Sequence, residues 1–295
     1  MNSKTKSDFC IEIDFDRNLP NPERVFNAMA GLISSLKETD KILINSISSK
    51  IEPVMMLENI ESGSIKTWLR QVLIETDDDA LKNVDWKKQI GKYLVKGKYI
   101  LLDFLDGKTT ITDRKEIEGL QNNLTQLAED TGVNEFPIYV KPNAVKLLKN
   151  MSEISDSVKV LGKTDTAKYI SSEGNATFNL EMNFSPEGIE SLITKESIEN
   201  TVNTILKVKK PDYLGDSMWT LKYNGRSIEA KILDDNFLLS FQNREEDIRP
   251  GDSLRAELRI TANYGYDNSH LDSKYDVIKV ISIERTDTFD THLSL

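Results

Sequence analysis

A chain of 295 residues, 38% hydrophobic and 29% charged, is long enough for two ordinary domains and has a globular composition, neither disordered nor membranous. Its net charge of −10 argues against broad, sequence-independent nucleic-acid binding, which needs phosphate-neutralising Lys and Arg, and leaves room only for a local basic patch. The single cysteine, Cys10, excludes an internal disulfide framework and suits a reducing, cytoplasmic location. The opening MNSKTKSDF lacks the apolar stretch of a secretory signal, and the most apolar run, residues 93–105, is too short and too charged to span a bilayer.

The N-terminal half alternates strands and helices. Phe9, Ile11, Ile13 and Phe15 are apolar at every second position, the pattern of a half-buried strand. Asn21 then reads as a helix cap with Pro22 at the first helical position, and the helix runs to about Lys37. Residues 54–60 and 65–74 form a hairpin around Glu61-Ser62-Gly63-Ser64. With Ser62-Gly63 as the turn, Ile60 faces Ile65, Met56 faces Leu69 and Leu57 faces Trp68.

Three helices follow, over residues 85–105, 113–130 and 142–151, the last opened by Pro142. The first carries Trp86, Ile90, Tyr93, Leu94 and Leu101 on one side and Lys88, Lys92 and Lys96 on the other. That lysine row is a candidate for phosphate contact, and equally the solvated face of an amphipathic helix. Residues 168–171 and 176–180 make a further hairpin, and 185–194 a short helix. The division is a domain over 1–160, a linker with hairpin and short helix over 161–194, and a second domain over 195–295.

The second domain is the clearest in the chain. Residues 201–210, 217–223, 226–234, 252–262 and 275–283 are strand-like, and 236–241 form a short amphipathic helix between the third and fourth. Asn224-Gly225 is a two-residue hairpin turn, and Arg249-Pro250-Gly251-Asp252 a type II turn. Three strands, a helix and two strands is the order of a five-stranded barrel of the oligonucleotide/oligosaccharide-binding (OB) type. The expected fold is therefore α+β, an N-terminal α/β domain followed by a small OB-like β-barrel.

Candidate chemistry is sparse. Neither His270 nor His292 sits where packing would hold a catalytic base, and there is no Walker loop or G-x-G-x-x-G run. Pro211-Asp212, Asp216 and Glu229-x-Lys231 resemble the metal-binding pattern of restriction-type nucleases. The hairpin contradicts it. A two-residue turn pairs Glu229 with Thr220 and sets Asp216 about four positions, ~13 Å, further along. The expectation is no catalytic residue, no metal and no cofactor. The loop over 264–270 offers Tyr264, Tyr266, Asn268 and His270 between the last two strands, where such barrels place ligand contacts.

Ile60-Glu61-Ser62-Gly63-Ser64-Ile65-Lys66, with Lys210-Pro211-Asp212, Trp219, 228–232 and 249–254, resembles uncharacterised bacterial proteins of genomic islands and phage-defence loci. That resemblance implies a defence or anti-defence context and supplies no catalytic residue. The functional expectation is a cytosolic, non-enzymatic interaction protein with a protein partner or a second copy of itself. Nucleic-acid or nucleotide binding by the barrel is the alternative, with a metal-dependent nuclease behind it.

Overall fold

Alternating apolar residues place a short strand at the centre of the first unit. In the computed structural model, which describes residues 8–61, 64–75, 86–136, 139–213, 217–249 and 251–285, β1 (Phe9–Asp14) is that strand. It lies between β3 (Ile65–Glu75) and β4 (Thr166–Ser171), and β2 (Ile51–Glu61) and β5 (Gly174–Thr177) complete an antiparallel sheet of order β2-β3-β1-β4-β5. Phe9, Ile11 and Ile13 join one core with the helices α1 (Glu23–Asn45), α2 (Trp86–Leu105), α3 (Arg114–Asp130), α4 (Ala144–Val158) and α5 (Pro186–Ile193). The helices thus cover one sheet face, while the other carries the ion pairs Glu12–Lys66 and Glu58–Arg70.

Five expectations for this unit need correction. Asn21 does not cap α1; its backbone is left-handed (φ 63°) and Pro22 holds the cap position with no side-chain bond. The helix also runs eight residues past Lys37, because Thr39, Asp40, Ile42, Leu43 and Ile44 extend its buried face. The β2–β3 register differs too: Leu57 faces Leu69, Asn59 faces Trp68 and Ile60 faces Thr67. A bulge at Glu58 and a turn enclosed by the Glu61–Lys66 pair absorb the offset; Ser62 and Gly63 themselves lie outside the described residues. Pro142 does not open α4: Asn143 caps it, accepting the Lys146 N–H at 3.0 Å, and the helix continues to Val158. Finally, the hairpin placed in a linker belongs to the sheet, where β4 pairs with all of β1. The chain divides into units of residues Met1–Ile193 and Thr194–Leu295.

The second unit is a closed barrel. β6 (Thr194–Lys210), β7 (Trp219–Tyr223), β8 (Arg226–Ile232), β9 (Ser253–Gly265) and β10 (His270–Glu284) close in the order β10-β8-β7-β6-β9. Every pairing is antiparallel except β8 with β10, and α6 (Asp235–Gln242) makes the crossover between β8 and β9. Asp234 caps α6 through the Phe237 N–H and accepts the Val280 N–H at 3.0 Å, which ties the helix to β10. Phe237 and Phe241 then close on Trp219 at ring separations of 6.1 and 4.9 Å. Trp219 is fully buried opposite Ala230, a large residue complementing a small one. The Arg249–Asp252 turn is present, with Gly251 at φ 106° and the Asp252 N–H bonded to Arg249 O; Pro250 lies outside the described residues.

β6, β9 and β10 are longer than their apolar runs. They leave the barrel together as a three-stranded arm in which 194–200, 260–265 and 270–274 pair.

Candidate functional site

A cluster of exposed cations lies on the outer face of β6, β7 and β8. Two registers put it there. The Asn224-Gly225 turn sets Lys222 opposite Ser227 and Thr220 opposite Glu229, and β6 adds Lys207 opposite Lys222 and Lys210 opposite Thr220. A bulge between Val208 and Lys210 frees Lys209 to reach across, its Nζ 3.3 Å from Ser227 Oγ. Lys207, Lys209, Lys210, Lys222, Arg226 and Lys231 are all exposed, and among the described residues none of them forms an ion pair. Like charges directly opposite each other across two strands are destabilising. Stability alone gives no reason to set Lys207 against Lys222.

Beside this row, β8 and β10 flank a groove of about 810 Å³. Its walls include Arg226, Glu229, Lys231 and the rings of Tyr223 and Tyr275, whose centroids stand 6.4 Å apart at 60°. Lysines of β6, β7 and β8, Arg226, and two half-buried rings from β7 and β10 offer positive charge and aromatic surface to a chain that carries both phosphates and flat bases.

The nuclease-like residues do not come together as a metal site. Asp212 accepts the N–H and hydroxyl of Ser217 at 3.0 and 2.6 Å, and Glu229 accepts the Thr220 hydroxyl at 2.8 Å. Asp216 lies outside the described residues. Among the described residues no three His, Cys, Asp or Glu side chains cluster as metal ligands would. Cys10 is fully buried and its thiol is pushed up to about 11 by burial, with the Glu12 charge adding to the effect, so it is a poor nucleophile.

The loop at 264–270 sits at the tip of the arm. Tyr264 pairs with His270 across the strands, and their rings meet edge to face at 5.7 Å. His270 Nε2 lies 2.9 Å from Ser273 Oγ, and Asn268, at φ 58°, takes a bond from Lys195 at 3.2 Å. Tyr266 is 46% exposed. The tip is about six residues, ~20 Å, beyond the barrel wall at Leu258, so the structure separates these residues from the basic face. In the first unit, Lys88 and Lys92 line a cleft against the sheet, whereas Lys96 is half-buried further along α2 and lies outside it.

Sequence reasoning missed the Lys207–Lys222 row. The hairpin rule locates Lys222 and Ser227, but only the β6–β7 pairing and its bulge bring Lys207 and Lys209 beside them.

Fold and face together define the class, an α+β protein whose C-terminal unit is a small OB-like barrel with a local basic patch on β6, β7 and β8. Comparison with protein families, curated proteins and solved structures returned no match for this chain. Among the described residues no helix is long and apolar enough to cross a membrane.

Proposed function

We propose that the chain is a non-enzymatic binding protein whose barrel takes single-stranded nucleic acid across β6, β7 and β8. The observation that carries this reading is the uncompensated row of Lys207, Lys209 and Lys222 on a protein of net charge −10. Phosphates lying over the row would relieve its repulsion, and the half-buried rings of Tyr223 and Tyr275, which pack against the barrel core, line the adjoining groove where a base could meet their edges. The overall negative charge weakens long-range attraction, so binding is short-range and sensitive to salt.

The test is fluorescence anisotropy of a labelled oligothymidylate of about 12 nucleotides, within the span of one such barrel, titrated over a range of salt. Replacing Lys207 and Lys222 with alanine should flatten the dependence of log affinity on log salt by about 0.7 per lysine. An unchanged slope, or no binding at low salt, sinks the reading.

A protein partner, the first expectation from the sequence, retains one specific observation: the arm exposes Ile198 at 51% and Tyr266 at 46%. Should the arm be the contact, alanine at both Tyr264 and Tyr266 would lower partner affinity by more than ~2 kcal/mol and leave oligothymidylate binding unchanged. The resemblance to island-encoded bacterial proteins would set either activity in a defence or anti-defence context.

A further inference from the structure

Among the described residues, one edge of β6 goes unpaired for most of its length. β9 runs along one side of the strand from Thr194 to Lys207, whereas β7 covers the other side only from Lys207 to Lys210. From Lys195 to Ile205 no described strand lies against that second side, which leaves a free edge ~33 Å long. The residues that border the undescribed stretches of this unit stand at the opposite end of β6. Ser217 is bonded to Asp212 just past Lys210, Gly251 donates to Val208 O, and Glu284 pairs with Ser253, itself paired with Lys207.

Val208 shows which backbone groups face this edge. It donates to Asp252 O and accepts from the Gly251 N–H, so both of its groups turn to the β9 side. The β6–β9 register is unbroken from Glu196 to Lys207. Alternation therefore sends the N–H and C=O of the even-numbered residues to β9, and those of Ser197, Glu199, Thr201, Asn203 and Ile205 to the open edge. Lys207 follows the same rule, facing β7 at Lys222. The residues from Lys195 to Thr201 are all exposed, and Ile205 is 46% exposed. A run of unpaired backbone groups of this length is a template for another strand.

The edge is matched to itself. Its midpoint is Asn200, and an antiparallel copy related by a two-fold axis there uses the whole edge of both chains and stops short of β7 on each. That register sets Ile198 opposite Val202, Glu196 opposite Thr204 and Glu199 opposite Thr201. No two like charges stand directly opposite, and the exposed Ile198 finds an apolar partner at a pair of the closer-spaced kind. The edge-directed N–H and C=O groups of Ser197 then meet those of Asn203, and those of Glu199 meet those of Thr201.

We propose that two copies of this chain join edge to edge along β6, antiparallel about Asn200, so that their arms form one continuous sheet. The two-fold pairing uses up the edge in each copy, and assembly stops at two. None of the residues assigned to nucleic acid takes part, so this dimer and the nucleic-acid reading fail separately.

Sedimentation velocity on the full chain, without nucleic acid, should show the mass of one chain rising to that of two as concentration increases. Thr201→Pro removes an N–H that points to the open edge and none that bonds β9. It should weaken the dimer by at least about tenfold with an unchanged circular dichroism spectrum, whereas Thr201→Ala should leave the dimer in place. In the wild-type protein the amides of Glu199, Thr201 and Asn203 should exchange more slowly as the dimer fills, while those of Asn200 and Val202 are protected at every concentration. The mass of one chain at every concentration up to roughly millimolar, or assembly beyond two copies, would overturn the proposal. A dimer indifferent to Thr201→Pro, or fast exchange at Thr201 within the dimer, would do the same by placing the contact elsewhere.

Discussion

In the first unit Arg24 donates to Asp165 at 2.9 Å with side chains 9% and 0% exposed, and Lys98 meets Asp40 with both all but sealed from water. Thr39 and Asn150 add a buried bond between α1 and α4. In the barrel the pairs Arg249–Asp247, Arg255–Glu284 and Arg259–Asp276 stand at the surface, and the interior is an aromatic cluster around Trp219. A helix-on-sheet layer can slide, and buried pairs that must meet select one docking. A closed barrel has its register set by continuous pairing, so its interior can stay apolar and its charges can face a ligand. Burial pushes the Asp40 carboxyl up and the Lys98 ammonium down, each offset in part by the other's charge, the condition in which an ion pair adds specificity more than stability.

This contrast can be broken by substitution. Trp219→Ala empties the barrel core and should cost about 3–5 kcal/mol, seen as loss of the barrel's transition in denaturant; a near wild-type midpoint would refute the aromatic interior. Asp40→Ala leaves Lys98 buried and unpaired and should cost the first unit a similar ~3–5 kcal/mol, whereas Asp40→Leu combined with Lys98→Met should recover most of that. If the double variant is as unstable as the single one, the pair does more than fix docking.

Acid should separate the units. Burial by itself would raise the Asp165 carboxyl, but hydrogen bonds from Arg24 and from the N–H groups of Asp16 and Gly162 outweigh it and hold the carboxyl below its usual range. A carboxylate lowered in the folded state contributes stability that is full above its unfolded value near ~4 and is lost as pH falls through the folded value. The first unit should therefore weaken below about pH 4, and Asp165→Asn should shrink the difference in stability between neutral and acid pH. An unaltered acid profile in that variant would show that the pair does not report protonation.

Smaller effects sharpen the barrel half of the comparison. Lys222→Glu removes the repulsion with Lys207 and should stabilise the barrel by about 0.2–1 kcal/mol while weakening oligothymidylate binding. A gain in one without a loss in the other would detach the lysine row from function. Glu229→Ala should change stability by no more than ~0.5 kcal/mol, and the purified protein should not cleave nucleic acid with magnesium; cleavage abolished by that substitution would restore the nuclease reading.

Local periodicity and turn chemistry determined much of this protein from the sequence. Apolar residues at every second position marked β1, Asn224-Gly225 set the β7–β8 register, and Trp219 opposite Ala230 followed from it. These are short-range consequences of the pleat and of positive φ, which neighbouring residues dictate. Tertiary structure alone decided the rest. The β4–β5 hairpin belongs to the first sheet because β1 has an open edge to pair, and β6 extends back to Thr194 because β9 is there to receive it. Arg24 meets Asp165 across 141 positions, Lys98 meets Asp40 across 58, and Lys207 comes to face Lys222 through a strand pairing. Side chains so far apart in sequence are brought together by packing, and no local preference of theirs records which partner they find.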